Sequence, residues 1–312
     1  MHRSPFSRFP RRGGTPLPAH REPKTSSRIS GSASAADPKA NPGDEKREFY
    51  PSIEDVVNIR DLLHRLGLKR QAIPNEIVDM IIDEAEYWPS VVTTLETTPY
   101  VVRSDEDREC LRTPPLCFSL EEGSKENESS GKEEQPQTLL HRGIHPCRKI
   151  VFDITSHDQG WGGDASHRGT YRGSYTWFDA YIVPSNHKHS ANENKEDQNP
   201  DTADAEKEDR GELEPWNPRP MIPEPRKLQV NRTATQDSTK HQIVWKYNDD
   251  IDPKSSEADR IEEEEGRGRK TLDGQAVRNM NVGDQVVVWI RARFPGWQNN
   301  LESMSVRVFW AT

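Results

Sequence analysis

Two periods of hydrophobic spacing divide the chain. Val56, Ile59, Leu63 and Leu66 recur at helical spacing behind Ser52 and Asp55, which stand three apart as a capping box does, and Gly67 supplies a stop. Pro74 opens a second helical stretch. Its residues Ile77, Met80, Ile81, Ala85 and Trp88 are expected to share one face, and Pro89 ends it. The spacing therefore predicts a helical hairpin over residues 49–89. Its two apolar stripes must bury against each other or against a neighbour.

After Trp88 the period falls from 3.6 to 2. "SVVTTLETTPYVV" and "PPLCFSLE" are β-like with prolines punctuating them, and "RKIVFDIT", "SYTWFDAYIV" and "DQVVVWIRARF" are firm strands. "KLQVNR", "QIVWKY" and "SMSVRVFWA" complete the set. Seven or eight short strands without helices between them predict an antiparallel β-sandwich, covering residues 90–312. Val286, Val288, Ile290, Ala292 and Phe294 share one face of the long strand. Trp289, Arg291 and Arg293 share the other. Phe178, Ala180 and Ile182 oppose Trp177, Asp179 and Tyr181, and Ile150, Phe152 and Ile154 oppose Asp153. The second face thus mixes acids, arginines and aromatics, as a half-covered surface would, and the hairpin is a candidate to shield it.

Polar runs interrupt this pattern. Residues 1–48 have almost no apolar periodicity and are expected to form a disordered basic tail. Disordered insertions are expected near 121–138, 185–214 and 249–270, the last containing "EEEE". Composition agrees: only 31% of the 312 residues are hydrophobic and 30% are charged, with a mean hydropathy of -0.99. A net charge of -9 argues against a general nucleic-acid surface, which needs a basic surplus to release phosphate counterions. No apolar run reaches the ~18–20 residues that cross a bilayer, so no membrane insertion is expected. Three cysteines (Cys110, Cys117 and Cys147) without a secretory signal point to a reduced protein, cytoplasmic or nuclear rather than secreted. Asn127 and Asn231 each open a glycosylation tripeptide, which has no meaning in such a compartment.

The densest chemistry lies in "TSHDQGWGGDASHRGTYRGSYTWFDA", Thr155 to Ala180. His157, Asp158, Asp164 and His167 have metal-ligand chemistry, but their spacing matches no fixed metal pattern and no metal or other cofactor is expected. No GxSxG, HExxH, phosphate loop or paired-cysteine array occurs, so no catalytic residue is assigned and an enzyme is the less favoured reading. A binding rim fits better. Trp161, flanked by glycines, can stack on a ligand, while His157, Asp158, Gln159 and Arg168 add directional hydrogen bonds. The competing expectation folds Trp161 back as a lid over the core. In "RARFPGWQNN", Pro295 and Gly296 predict a tight turn and Trp297 a cap on the sandwich edge. Arg291 and Arg293 are expected either to pair with Asp153 and Asp179 or to clasp an anionic group of a ligand.

Two resemblances rest on these motifs. Ile73-Pro74-x-Glu76-Ile77 followed by Ile81-Ile82 resembles the opening helix of an F-box, over residues 73–88, which implies a ubiquitin-ligase adaptor. The remaining F-box helices have no counterpart here. More broadly, "EIVDMIIDEAEYW", "TSHDQGW", "GSYTWFDA" and "VVWIRARFPGW" resemble an uncharacterised group of fungal proteins, from Pro74 to the C-terminus apart from the acidic loops. That likeness brings no activity with it.

The expectation is therefore an α+β chain, mainly β: a helical hairpin ahead of an antiparallel sandwich of galactose-binding or jelly-roll type. The expected function is non-enzymatic binding, with end loops contacting a protein or a glycan. An adaptor docking through the hairpin is the first alternative, and a metal-dependent hydrolase the second.

Overall fold

In the computed structural model, residues 49–66, 72–96, 99–104, 106–119, 137–185 and 220–312 are described. The expected tail 1–48 and most of the expected insertions near 121–138 and 185–214 lie outside them. All the elements named below belong to one compact unit, Glu48 to Thr312.

Strands dominate this unit and every pairing is antiparallel. One sheet runs β1 (Ser90–Thr94), β9 (Gln298–Trp310), β4 (Cys147–His157) and β7 (Thr239–Lys246). A short β2 (Tyr100–Arg103) joins the far end of the β9 edge that β1 occupies. The other sheet runs β3 (Asp107–Arg112), β8 (Gln285–Ala292), β5 (Thr176–Val183) and β6 (Lys227–Val230). Alternation brings one face of each sheet into a shared core. Ile150, Phe152, Ile154, Ile243, Trp245, Val306 and Val308 meet Phe178, Val286, Val288, Ile290 and Ala292 there. Two antiparallel sheets around one apolar core are the arrangement of a β-sandwich.

The hairpin forms as the spacing predicts, from α1 (Ile53–Arg65) and α2 (Asn75–Glu84). Ser52 and Asp55 close the capping box. The buried face of α2 differs from the expected one. Val78 and Ile82 are buried with Val56, Trp88 and Phe309, whereas Ile77, Met80 and Ile81 are exposed. Tertiary docking selects this narrower stripe. The hairpin packs on the outer side of β9, β4 and β7, through Phe309, Val151 and Tyr247. It does not shield the arginine face, which belongs to the other sheet. Glu86 fastens it there, receiving Lys149 Nζ at 2.7 Å and Lys246 Nζ at 2.5 Å.

Three further expectations are corrected. "PPLCFSLE" is not a strand in its described part. Pro114 and Pro115 cannot donate to a ladder, and Cys117 turns with φ at 61°, leaving a single bridge from Phe118 to Thr138. Residues 249–270, expected as a disordered acidic loop, carry α3 (Ser256–Glu265). Ser255 caps its start, Gly266 ends it in the left-handed region, and Ala258 and Ile261 bury one face. Lys227 of β6 pairs with Glu262 and holds that acidic helix to the sheet, and Arg269 pairs with the same carboxylate. Finally, Asp153 does not pair with the arginines, because β4 lies in the opposite sheet; Gln242 donates to it at 3.0 Å instead.

No helix among the described residues is long and apolar enough to cross a membrane.

Candidate functional site

The site begins where the β4–β9 ladder slips. Thr155 pairs with Ser303 and Ser156 with Leu301, so Glu302 is an extra residue on β9, and the bulge redirects the strand ends. Beyond it His157 lies opposite Asn300. Alternation along β9 then sends Asn299 inward, fully buried, while Gln298 and Asn300 line an open cavity of about 470 Å3. His157, Gln159, Trp161 and Gln236 complete most of the lining.

A buried polar network supports this floor. Asn231 Nδ2 donates to Asn299 Oδ1 at 2.8 Å and to Thr176 Oγ1 at 3.1 Å, while Ser156 Oγ donates to Asn231 Oδ1 at 2.7 Å. Asn299 Nδ2 in turn reaches the carbonyls of Trp177 and Arg291 at 3.0 and 3.1 Å. These bonds tie both sheets and the β6–β7 loop together, and each partner is satisfied, as a buried polar cluster requires. Nothing in the alternation of the sequence announces it. Asn231, the second glycosylation tripeptide, is 1% exposed and fully engaged, so it is no acceptor for a glycan.

Asp158 is the organiser of the loop rather than a ligand contact. It is buried, and its carboxylate accepts from Gly160 N at 2.7 Å, Ala234 N at 2.5 Å and Thr235 N at 2.8 Å. Burial raises its pKa above the ordinary carboxylate value, and those three backbone donors work against that rise. The same grip holds Ala234 at φ 53°, a conformation an alanine rarely adopts unaided. Gln159 is also used internally. Its amide nitrogen donates to the Trp161 carbonyl at 2.5 Å and its oxygen accepts from Gln298 N at 3.0 Å.

Trp161 stands out from this frame and is 58% exposed. Its six-membered ring rests over Gly296, in the turn Phe294-Pro295-Gly296-Trp297, which closes with Trp297 N donating to Phe294 O at 3.2 Å. Trp297 itself is buried and stacks edge-on with Tyr175, their centroids 5.2 Å apart. The cap over the end of the core is therefore Trp297, as the "FPGW" motif predicts. The lid expectation for Trp161 does not describe its position.

The remaining candidates are dispersed. His157 sits with Nδ1 at 2.6 Å from the Asp158 carbonyl, which makes Nδ1 the donor and leaves Nε2 facing Glu302 at 4.0 Å. Arg168 is exposed and is not part of the cavity lining. Asp164 caps a one-turn 3-10 helix at Ala165–His167, accepting from Ser166 N at 2.8 Å, and His167 packs against Gly173. Among the described residues, no three His, Cys, Asp or Glu side chains gather as a metal site would require.

Arg291 and Arg293 are buried and do not line the cavity. Arg291 pairs with Asp179 and, at 3.0 Å, with Asp107; Arg293 forms two 2.7 Å bonds to Asp107. Asp107, on β3, takes the part expected of Asp153. Arg293 also lies 5.5 Å from the centre of the Trp177 ring and donates to the Pro220 carbonyl at 2.8 Å. On this face Trp177, Asp179, Arg291 and Arg293 form a buried ionic layer, while Tyr181 and Trp289 are half-buried.

Compared with known protein families, curated proteins and solved structures, the chain has no match.

Proposed function

We propose that the protein is a non-enzymatic, intracellular binding protein that holds a protein or glycan ligand with the loops at this end of its two sheets. The scaffold is taken to be a sandwich of galactose-binding or jelly-roll type, a reading supported by its five- and four-stranded antiparallel sheets. The observation that carries the functional reading is Trp161. A large indole, mostly in water, is braced over Gly296 beside a cavity whose floor is fixed by buried hydrogen bonds. Exposed aromatic area on a rigid frame is costly to solubility and useful for recognition. The free cysteines fit a reducing compartment. Burial pushes all three thiols up to about 12, which leaves them inert as nucleophiles.

Glycan and peptide arrays probed with the full chain and with Trp161→Ala test the reading. Ligands captured by the wild type and lost by the variant are expected; identical capture by both proteins would remove the basis for it.

One observation favours a second reading, an adaptor docking through the hairpin. Ile77, Met80 and Ile81 form an exposed apolar stripe on α2, and they coincide with the F-box-like segment. Met80→Lys, at a position 66% exposed, leaves the fold intact and on this reading abolishes co-precipitation with ubiquitin-ligase subunits. Unchanged co-precipitation, or none from the wild type, contradicts it.

A further inference from the structure

We infer that the cavity beside Trp161 takes a neutral, polyhydroxylated ligand: an uncharged sugar unit of a glycan, stacked on the indole and hydrogen-bonded by carboxamides. This deepens the binding reading above and rests on it.

Charge is the first constraint on the ligand. Among the described residues, no lysine or arginine lines the cavity. Of the arginines that the sequence offers, Arg168 stands exposed outside the lining, and Arg291 and Arg293 are buried among Asp107, Asp179 and Trp177. An anionic ligand would find no counter-charge on these walls. Acidic groups are equally withdrawn. The Asp158 carboxylate is fully occupied by three backbone N–H donors, so it has no capacity left for a cationic ligand. His157 already donates through Nδ1 to a carbonyl, and its Nε2 faces Glu302 at 4.0 Å.

What remains is amide and aromatic surface. Gln298 Nε2 donates to Asn300 Oδ1 at 2.8 Å, two residues apart on one face of β9, so these carboxamides are aligned before any ligand arrives. Gln236 stands exposed at the rim, against Gly160, with no hydrogen bond among the described residues. A carboxamide is both donor and acceptor, and so is each hydroxyl of a vicinal pair; the two match without any charge. A pyranose also presents a face of C–H groups, which suits the flat, electron-rich side of an indole. The cavity volume of about 470 Å3 lies within the roughly 300–1,000 Å3 of small-ligand sites. Its openness to solvent suits one unit of a longer chain. A peptide would be the alternative occupant, but strand addition needs a sheet edge, and this site sits at the strand ends of β4 and β9, both interior to their sheet.

The test uses full-length protein and a set of defined probes. These are neutral oligosaccharides of glucose, mannose, galactose and N-acetylglucosamine, sulfated and sialylated oligosaccharides, and uncharged proline-rich peptides. Binding is followed by tryptophan fluorescence and by the indole N–H signal of Trp161. At least one neutral oligosaccharide is expected to bind, with an affinity unchanged between low and high salt. Trp161→Ala should weaken it by about tenfold or more, and Gln236→Ala by a smaller factor. Both substitutions are at exposed positions, and a thermal melt establishes that each variant is folded. Trp161-dependent binding of only the anionic sugars, or of only the peptides, overturns the neutral-glycan assignment while leaving the binding site in place. The same holds if no neutral sugar binds at millimolar concentration although an array ligand depends on Trp161. If no ligand of any class depends on Trp161, both the assignment and the site fail.

Discussion

A Cβ built on Gly296 would stand 2.8 Å from the Cη2 atom of Trp161, so the indole rests directly on a residue that has no side chain. Gly296 also has φ at +91°, where only glycine sits without strain. The turn therefore has two separate needs for glycine, one of backbone and one of space. Gly296→Ala is expected to cost about 1–2 kcal/mol of stability through the left-handed backbone. It should also tilt the indole and weaken ligand binding. Equilibrium unfolding together with a binding titration checks both halves; unchanged binding would separate the turn from the site.

Asp158 is expected to matter more for folding than for contact. In Asp158→Ala, the buried Ala234 N–H loses its partner, at about 1–3 kcal/mol, with less from Gly160 and Thr235 where water can reach. Asp158→Asn restores an acceptor but not all three bonds, so its stability should fall between those of the wild type and the alanine variant. A denaturant series of the three proteins gives that order or refutes it.

The ionic layer predicts a larger loss. Arg291 is fully buried between Asp179 and Asp107, and Arg291→Met leaves the buried Asp179 carboxylate without its cation while Asp107 keeps Arg293. About 3–5 kcal/mol of destabilisation is expected. Adding Asp179→Leu to Arg291→Met should recover part of it, because the uncompensated charge is then removed. A double-mutant cycle measures this directly.

His241 supplies a pH dependence with a definite sign. It is buried on the inner face of β7 near Tyr171, and burial, then the nearby Arg232 charge, lowers its pKa to about 4. The unfolded chain takes up this proton near the ordinary value of ~6.5 and the folded chain does not. Its contribution is therefore undiminished above ~6.5, falls by up to about 1.4 kcal/mol per pH unit below that, and levels off below about 4. Denaturant melts of wild type and His241→Phe between pH 7 and pH 4, values spanning roughly that window, should diverge as the pH falls, with the wild type losing more. Parallel curves would mean that the imidazole is not buried as a neutral ring.

The strands were the most legible part of the chain, because a sheet with one buried face writes its period into the sequence. Ile150, Phe152 and Ile154 in β4 and Val286, Val288, Ile290 and Ala292 in β8 occupy the core that their alternation predicts. Strand order is not written that way. Asp153 and Asp179 carry the same alternation, yet their strands lie in different sheets, so only Asp179 meets Arg291. Helix α3 was hidden by its own charge. Ser255, Ala258, Ile261 and Gly266 are cap, apolar stripe and stop, but the glutamates between them read as a solvated run. At the site, the Gly296 turn was legible from "FPGW", whereas "GWGG" left Trp161 open between an exposed rim and a lid. The Asn231–Asn299 network was not, since polar side chains become a floor only when distant strands bring them together. Neither was the role of Asp158, whose partners Ala234 and Thr235 lie more than seventy residues away.

The central claim is that Trp161 is a contact residue held out by the loop, not a piece of the core. One variant, measured twice, tests it most directly. Trp161→Ala should move the unfolding free energy by less than about 1 kcal/mol, as an exposed side chain does, while abolishing the binding that the wild type shows to its array ligand. A destabilisation of roughly 3–5 kcal/mol, with binding restored whenever the variant is kept folded, would place the indole in the core and contradict the account.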